Sequence, residues 1–274
     1  MTICISVSVA EGLVLAADSA VMLEGVMQTK NGQQKKGILQ TFEFANKVAQ
    51  IKDYPIGVMS WGIASIGDRS IQSLIMEFEY DYPLVKDNQS FTVKEVADKL
   101  LEFMMGRYNT VYAPNGNRPH LGIFVGGYSH YSKGNFFSDQ YVYSFPQSQN
   151  WEIVRPNKPD GSPSFGVNWY GQTDALIRLV KGYDLAGLDE LVKRGVDKEI
   201  IAKWATDNVT ELPLVFDGMP LQDAVDFSNY AVQVVIGRFR FGVGPPLCGG
   251  KIDIAVITPA AFHWAQRKQW SIKE

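Results

Sequence analysis

The chain has 274 residues, 46% hydrophobic and 20% charged, enough for one large core, so residues 1–274 are read as one domain. The formal net charge of -3 is spread over both signs, with only Lys35-Lys36 as a short basic run, which argues against nucleic-acid partners and membrane anchoring. Cys4 and Cys248 are too few for a disulfide framework, and His120, His130 and His263 are scattered, so no metal or cofactor is expected.

The opening stretch MTICISVSVAEG alternates apolar and small polar residues. That is a strand pattern, not the basic-then-apolar order of a secretory signal. No apolar run approaches the roughly 20 residues that span a bilayer, so a soluble, cytoplasmic protein is expected. Residues 2–9 read as a strand, Ala10-Glu11-Gly12 as a three-residue turn with Gly12 at positive φ, and residues 13–17 as the returning strand. The polar stretch 24–40 reads as a loop or a long hairpin tip. Strands are predicted near 42–51 and 56–61, then a helix over 63–78. Thr92 and Glu95 form a capping box that opens a second helix running to about Arg107. Strands follow near 121–127, 139–145, 151–155 and 164–170. Helices are predicted at 173–182, 197–207 and 219–238, and a last strand at 251–258. Runs of strands alternating with runs of helices point to a layered α+β fold and away from a βαβ parallel sheet.

The first hairpin carries the chemistry. With a three-residue turn, Val9 pairs with Leu13, Cys4 with Asp18 and Thr2 with Ala20. Thr2, Cys4, Ser6 and Ser8 then share a face with Asp18 and Ala16, while Ile3, Ile5, Val7 and Val9 meet Leu13, Leu15 and Ala17 on the other. A slip of one residue would turn Asp18 to the apolar side, where an unpaired carboxylate is costly, and this favours the register. Removal of Met1, which the small Thr2 side chain permits, would expose an α-amine with a pKa of about 8. That amine can take the proton of the Thr2 hydroxyl, a recognised way to activate a weak nucleophile. A cation would stabilise the alkoxide, and a carboxylate would hold the cation.

The segments Thr2 to Val7 and Glu11 to Ser19, which ends in Ala-Ala-Asp-Ser, resemble the opening of proteasome β subunits and their bacterial proteasome-like relatives. Asn46-Lys47-Val48-Ala49-Gln50-Ile51 is similar to that family's lysine-bearing strand, and Ile56 to Gly62 to the strand that leads to its oxyanion glycine. The resemblance implies a four-layer αββα sandwich, the N-terminal nucleophile (Ntn) hydrolase fold, with two antiparallel sheets between helical layers. It implies Thr2 as nucleophile, Lys47 as the group that lowers its pKa, Asp18 as the positioner of Lys47, and Gly62 as the oxyanion amide, although counting from Lys47 lands on Trp61. It further implies peptide or unfolded-protein substrates, a homo-oligomeric ring, and an ATPase or unfoldase as partner. The lack of a helix before Thr2 favours the catalytic β type over the gating α type.

Two places depart from the family's pattern. Gln172 replaces the serine expected after Tyr170-Gly171, and Cys248 the serine expected before Gly249-Gly250, while the aspartate expected three residues earlier falls on Pro245. The altered polar network keeps a non-catalytic ring scaffold open as an alternative, and a small-molecule amidase or acylase of the same superfamily, which substrate-pocket residues would separate, is a second. Taken singly, Thr2, Asp18 and Lys47 each have an ordinary structural explanation; their order and strand contexts together point to a site. The histidines have no partner pattern and read as structural or surface.

Overall fold

The computed structural model describes residues 2–28, 34–82, 91–130 and 137–270. The alternating residues at the start form β1 (Ile3–Val9), which turns through Ala10-Glu11 into β2 (Gly12–Ala17), and every residue of both strands is buried. A two-stranded ribbon follows, β3 (Val21–Gln28) with β4 (Gln34–Phe42). Then come β5 (Val48–Gln50), β6 (Ile56–Gly62) and a small hairpin of β7 (Ser65–Ile66) and β8 (Arg69–Ser70). Helix α1 (Ile71–Asp81) starts where the Ser70 hydroxyl accepts the Ser73 amide, and α2 (Val93–Val111) at the Thr92–Glu95 capping box. Strands β9 (Leu121–Gly127), β10 (Asp139–Phe145), β11 (Glu152–Ile153) and β12 (Gly166–Gly171) lead to α3 (Asp174–Leu176), which passes into a π-helical turn over Ile177–Lys181. The chain ends with α4 (Leu185–Lys193), α5 (Lys198–Thr206), α6 (Leu221–Phe241), β13 (Asp253–Ile257) and β14 (Phe262–Gln266).

Two five-stranded antiparallel sheets result, ordered β12-β1-β2-β13-β14 and β11-β10-β9-β6-β5. Cys4, Leu13, Leu15 and Ile257 of the first meet Met59, Trp61 and Phe124 of the second in one buried cluster. Ile3, Ile5, Val7 and Ala16 of the first sheet pack with Ala224, Val232 and Val235 of α6. Val58, Ile123 and Val125 of the second pack with Leu74 and Phe78 of α1 and with Val96, Leu100 and Tyr108 of α2. The fold is thus mixed α/β, with antiparallel sheets and six helices among the described residues. No helix there is long and apolar enough to cross a membrane.

The first hairpin differs from the expected register by one residue. Val9 pairs with Gly12 and Cys4 with Ala17, so the turn has two residues, Ala10 and Glu11. Gly12 has no positive φ. It is small because a Cβ there would sit 2.9 Å from the Ile257 carbonyl oxygen and 3.0 Å from Leu221. The stretch 24–40 takes the hairpin alternative, and its connection at 29–33 lies outside the described residues. Of the strand expected over 42–51 only β5 forms, because β4 ends at Phe42 in the separate ribbon. The helix expected from Ile63 starts eight residues later, since Ser70 is its cap. Helix α4 and strand β14 extend the predicted set.

Candidate active site

Strand β2 stops at Ala17, and Asp18 takes over its hydrogen bonding. The Asp18 amide donates to the Ile3 carbonyl (3.3 Å), and its carboxylate accepts the Ile3 amide (3.1 Å) where another ladder rung would have formed. The same carboxylate accepts the amides of Gly249 (2.9 Å) and Ala20 (3.3 Å), and the Lys47 ammonium at 2.7 Å. It is 1% exposed. Asp18 therefore stands opposite Ile3 instead of Cys4, just past the end of β2. Burial of the carboxylate in this register is not that of an unpaired charge, because three amides donate to it and the Lys47 cation neutralises it.

Lys47 directly precedes β5. Its carbonyl accepts the Ser60 amide (3.1 Å) of β6, so its backbone belongs to the second sheet while its side chain reaches Asp18 on the first. The Cys4 thiol lies 3.5 Å from the Ser60 carbonyl oxygen, a second link between the sheets at this point. Thr2 is buried, and its carbonyl accepts the Gln172 amide at 2.8 Å. Gly171, at φ 89°, lies so close that a Cβ would run into the Thr2 carbonyl. The Ile3 amide bond puts the Asp18–Lys47 pair one residue from Thr2 along the backbone. Met1 lies outside the described residues.

Strand alternation sets the direction of the amides at the end of β6. The Ser60 amide points to Lys47, and the Ile63 amide points to the His120 carbonyl (3.0 Å) on the β9 side. Gly62, between them in alternation, must direct its N–H as Ser60 does, toward the Lys47 side, where β5 has already ended. Its φ of 93° and the nearby His120 carbonyl both demand glycine. Trp61 is spent on packing: its ring stacks on Tyr170 (4.5 Å between centroids) over the bare Cα of Gly122. The site end of β6 thus presents a backbone donor at Gly62.

Several contributors escaped the sequence reading. The Gly249 and Ala20 amides bind Asp18, and the Gly249-Gly250 turn was the only signal of the first. The Ser19 hydroxyl lies 2.6 Å from the Lys251 carbonyl oxygen and 2.9 Å from that of Glu43, closing the turn after Asp18 over the base of the ribbon. His120, read as structural or surface, brings its imidazole next to Gly62; burial lowers its pKa. At the departing positions, Gln172 holds Thr2 through its backbone amide, and Pro245 is exposed. Cys248 is buried, and its thiol is pushed up to about 12, first by burial and then by the Asp18 charge. Burial likewise raises the Cys4 thiol far above its ordinary value. Among the described residues no three His, Cys, Asp or Glu side chains converge as a metal site would require.

No protein-family model matches the chain, and no curated protein matches it by sequence. Solved structures do match. Anbu (ancestral beta-subunit) from Yersinia bercovieri is similar over 96% of this chain and 86% of its own, with a TM-score of 0.52 and 14% sequence identity. At that identity the likeness speaks for the fold alone, and the fold is proteasome β-like.

Proposed function

We propose that this chain is an N-terminal threonine hydrolase of the proteasome β-like kind that cleaves amide bonds of peptides or unfolded proteins. The observation that carries the reading is the buried Lys47–Asp18 ion pair, 2.7 Å long, hydrogen-bonded through Ile3 to the strand that Thr2 opens. In this reading the chain is a single domain with the four-layer αββα arrangement, supported by helix-packed outer faces on two sheets that share an inner cluster.

The chemistry requires that Met1 be removed. The Thr2 hydroxyl then attacks the substrate carbonyl carbon while its proton passes to the α-amine. The Gly62 amide receives the oxyanion, a contribution of about 3–4 kcal/mol in other acyl-transfer enzymes. Collapse breaks the C–N bond; the leaving amine takes the proton and the acyl group stays on Thr2 as an ester. Water, deprotonated by the same α-amine, hydrolyses the ester and restores the hydroxyl. Lys47 stabilises the negative charge on the threonine oxygen, and Asp18 fixes Lys47 in place.

A cytoplasmic homo-oligomeric ring, fed by an ATPase or unfoldase, completes the proposal. The scaffold reading is favoured by one specific feature: Gln172, Pro245 and Cys248 stand where the family carries its supporting Ser, Asp and Ser. A single experiment separates the two. The purified protein and a Thr2→Ala variant are treated with a threonine-directed covalent inhibitor, and intact masses are recorded. The hydrolase reading expects a chain lacking Met1 and one adduct, absent from the variant. A Met1-free chain that takes no adduct refutes it, and a retained Met1 supports the scaffold.

A further inference from the structure

A cleft of about 720 Å³ opens between the outer strands of the two sheets, β11 and β12, with Arg155, Asn168 and Phe216 among its lining residues. The Thr2 chemistry makes no use of it. Arg155 is the unusual member. It is one of three non-glycine residues described with positive φ, at 56°, a conformation that L side chains adopt at an energetic cost. Its guanidinium is mostly buried and donates to the carbonyls of Phe165 (3.3 Å) and Val167. Gly166 leaves room for it, since a Cβ there would strike the guanidinium. The Nε–H is buried and meets no acceptor, and no carboxylate pairs with Arg155 among the described residues. Burial with no neutralising acid lowers its pKa.

A desolvated cation that meets only neutral carbonyls is poorly compensated, and a bound anion would supply what is missing. Asn168 adds a second donor: its Nδ2 is also buried without an acceptor. The charge balance limits the ligand. Lys181, the other cation of the cleft, is already paired with Glu211 at 2.6 Å, and the exposed Glu152 also lines the cleft, so no surplus of positive charge awaits a dianion. That suits a monoanionic, planar carboxylate better than a phosphate dianion. The backbone limits it further. The Gln172 amide bonds Thr2, so alternate residues of β12 face β1, and Val167 and Trp169 turn their backbone groups to the open edge. Arg155 covers the Val167 carbonyl, but Trp169 keeps an N–H and a C=O that an added strand would pair.

We propose that this cleft binds the free C-terminus of an extended peptide, its carboxylate at Arg155 and Asn168 and its backbone alongside Trp169. The test uses the full chain carrying Thr2→Ala, so that hydrolysis neither consumes the probe nor decides the outcome. Isothermal titration compares an N-acetylated Ala-Val-Ala-Phe tetrapeptide bearing a free carboxylate with its C-terminal amide. The free acid is expected to bind at least tenfold tighter than the amide. Arg155→Gln should remove that difference, and Asn168→Asp, which sets a negative charge against the ligand, should weaken binding at least tenfold. If circular dichroism shows Arg155→Gln to be unfolded, the Asn168→Asp result decides alone. Equal binding of acid and amide, no binding of either, or insensitivity to the substitutions overturns the proposal. Acetate or inorganic phosphate competing as well as the peptide would overturn the peptide assignment.

Discussion

Asp18 and Lys47 are unequal partners in one buried ion pair. Remove the ammonium, and Asp18 still has the amides of Ile3, Ala20 and Gly249. Replace the carboxylate by an amide, and those three donors and the cation together lose their anion. Breaking a buried pair from one side typically costs about 3–5 kcal/mol. Asp18→Asn is therefore expected to lower unfolding stability by about that much, and Lys47→Met by less; urea titration of both variants measures the order. The reverse order would mean that the amides do not carry the carboxylate. The thiols make a second prediction. Cys248 has a folded pKa raised to about 12, against roughly 8.5 for a free thiol. The folded state then holds its proton more tightly than the unfolded chain. Its contribution is full below the unfolded value and is lost as pH rises toward the folded one. Stability should decline with pH above about 8.5 for this reason, and Cys248→Ala should flatten that decline. Iodoacetamide at pH 8 should label neither Cys4 nor Cys248 until urea unfolds the protein.

Among the secondary-structure elements, those with a local signal were legible in the sequence. The Thr92–Glu95 box opens α2 as expected, and Thr92→Ala should cost about 1 kcal/mol. Differential scanning calorimetry would show the shift. Strands β9 and β10 coincide with the predicted 121–127 and 139–145 because alternation and length agree there. What failed depends on contacts distant in sequence. The hairpin register turned on how the Asp18 carboxylate is paired, and its partner Gly249 lies 231 residues away. Helix α4 was missed although its cap is local, the Asp184 carboxylate accepting the Gly187 amide. At the site, Thr2, Asp18 and Lys47 were singled out by their order, but Lys47, expected inside a strand over 42–51, directly precedes β5. The direction of the Gly62 amide follows only from the pairing of β6 with β9. Gly122 belongs with this group, since nothing local shows that its missing side chain seats the Trp61 ring. Gly122→Ala should destabilise by about 1–3 kcal/mol through overpacking and change tryptophan fluorescence. A variant indistinguishable from wild type in both readouts would mean that the Trp61–Tyr170 stack is not fixed by that contact.

At the scale of the molecule, the ribbon links the site to the proposed assembly. It leaves the body directly after Ser19 and Ala20, and the Ala45 amide returns to the Ser19 carbonyl at 2.9 Å, so its base is part of the turn that holds Asp18. Beyond the base its strands pair with each other and belong to neither five-stranded sheet. Leu23, Val26 and Phe42 are each more than half exposed there. Apolar side chains gathered on a projecting ribbon contribute nothing to the core of their own chain, and contact with another copy would remove them from water. If the ring proposal holds, these residues lie in its contacts. Native mass spectrometry of the wild type should then give a multiple of the chain mass. Joint substitution of Leu23, Val26 and Phe42 by lysine should give a folded monomer with unchanged circular dichroism, because the two sheets and α6 lose no packing partner. A wild type that is monomeric, or a triple variant that still assembles, would separate the ribbon from assembly and leave its length unexplained by it.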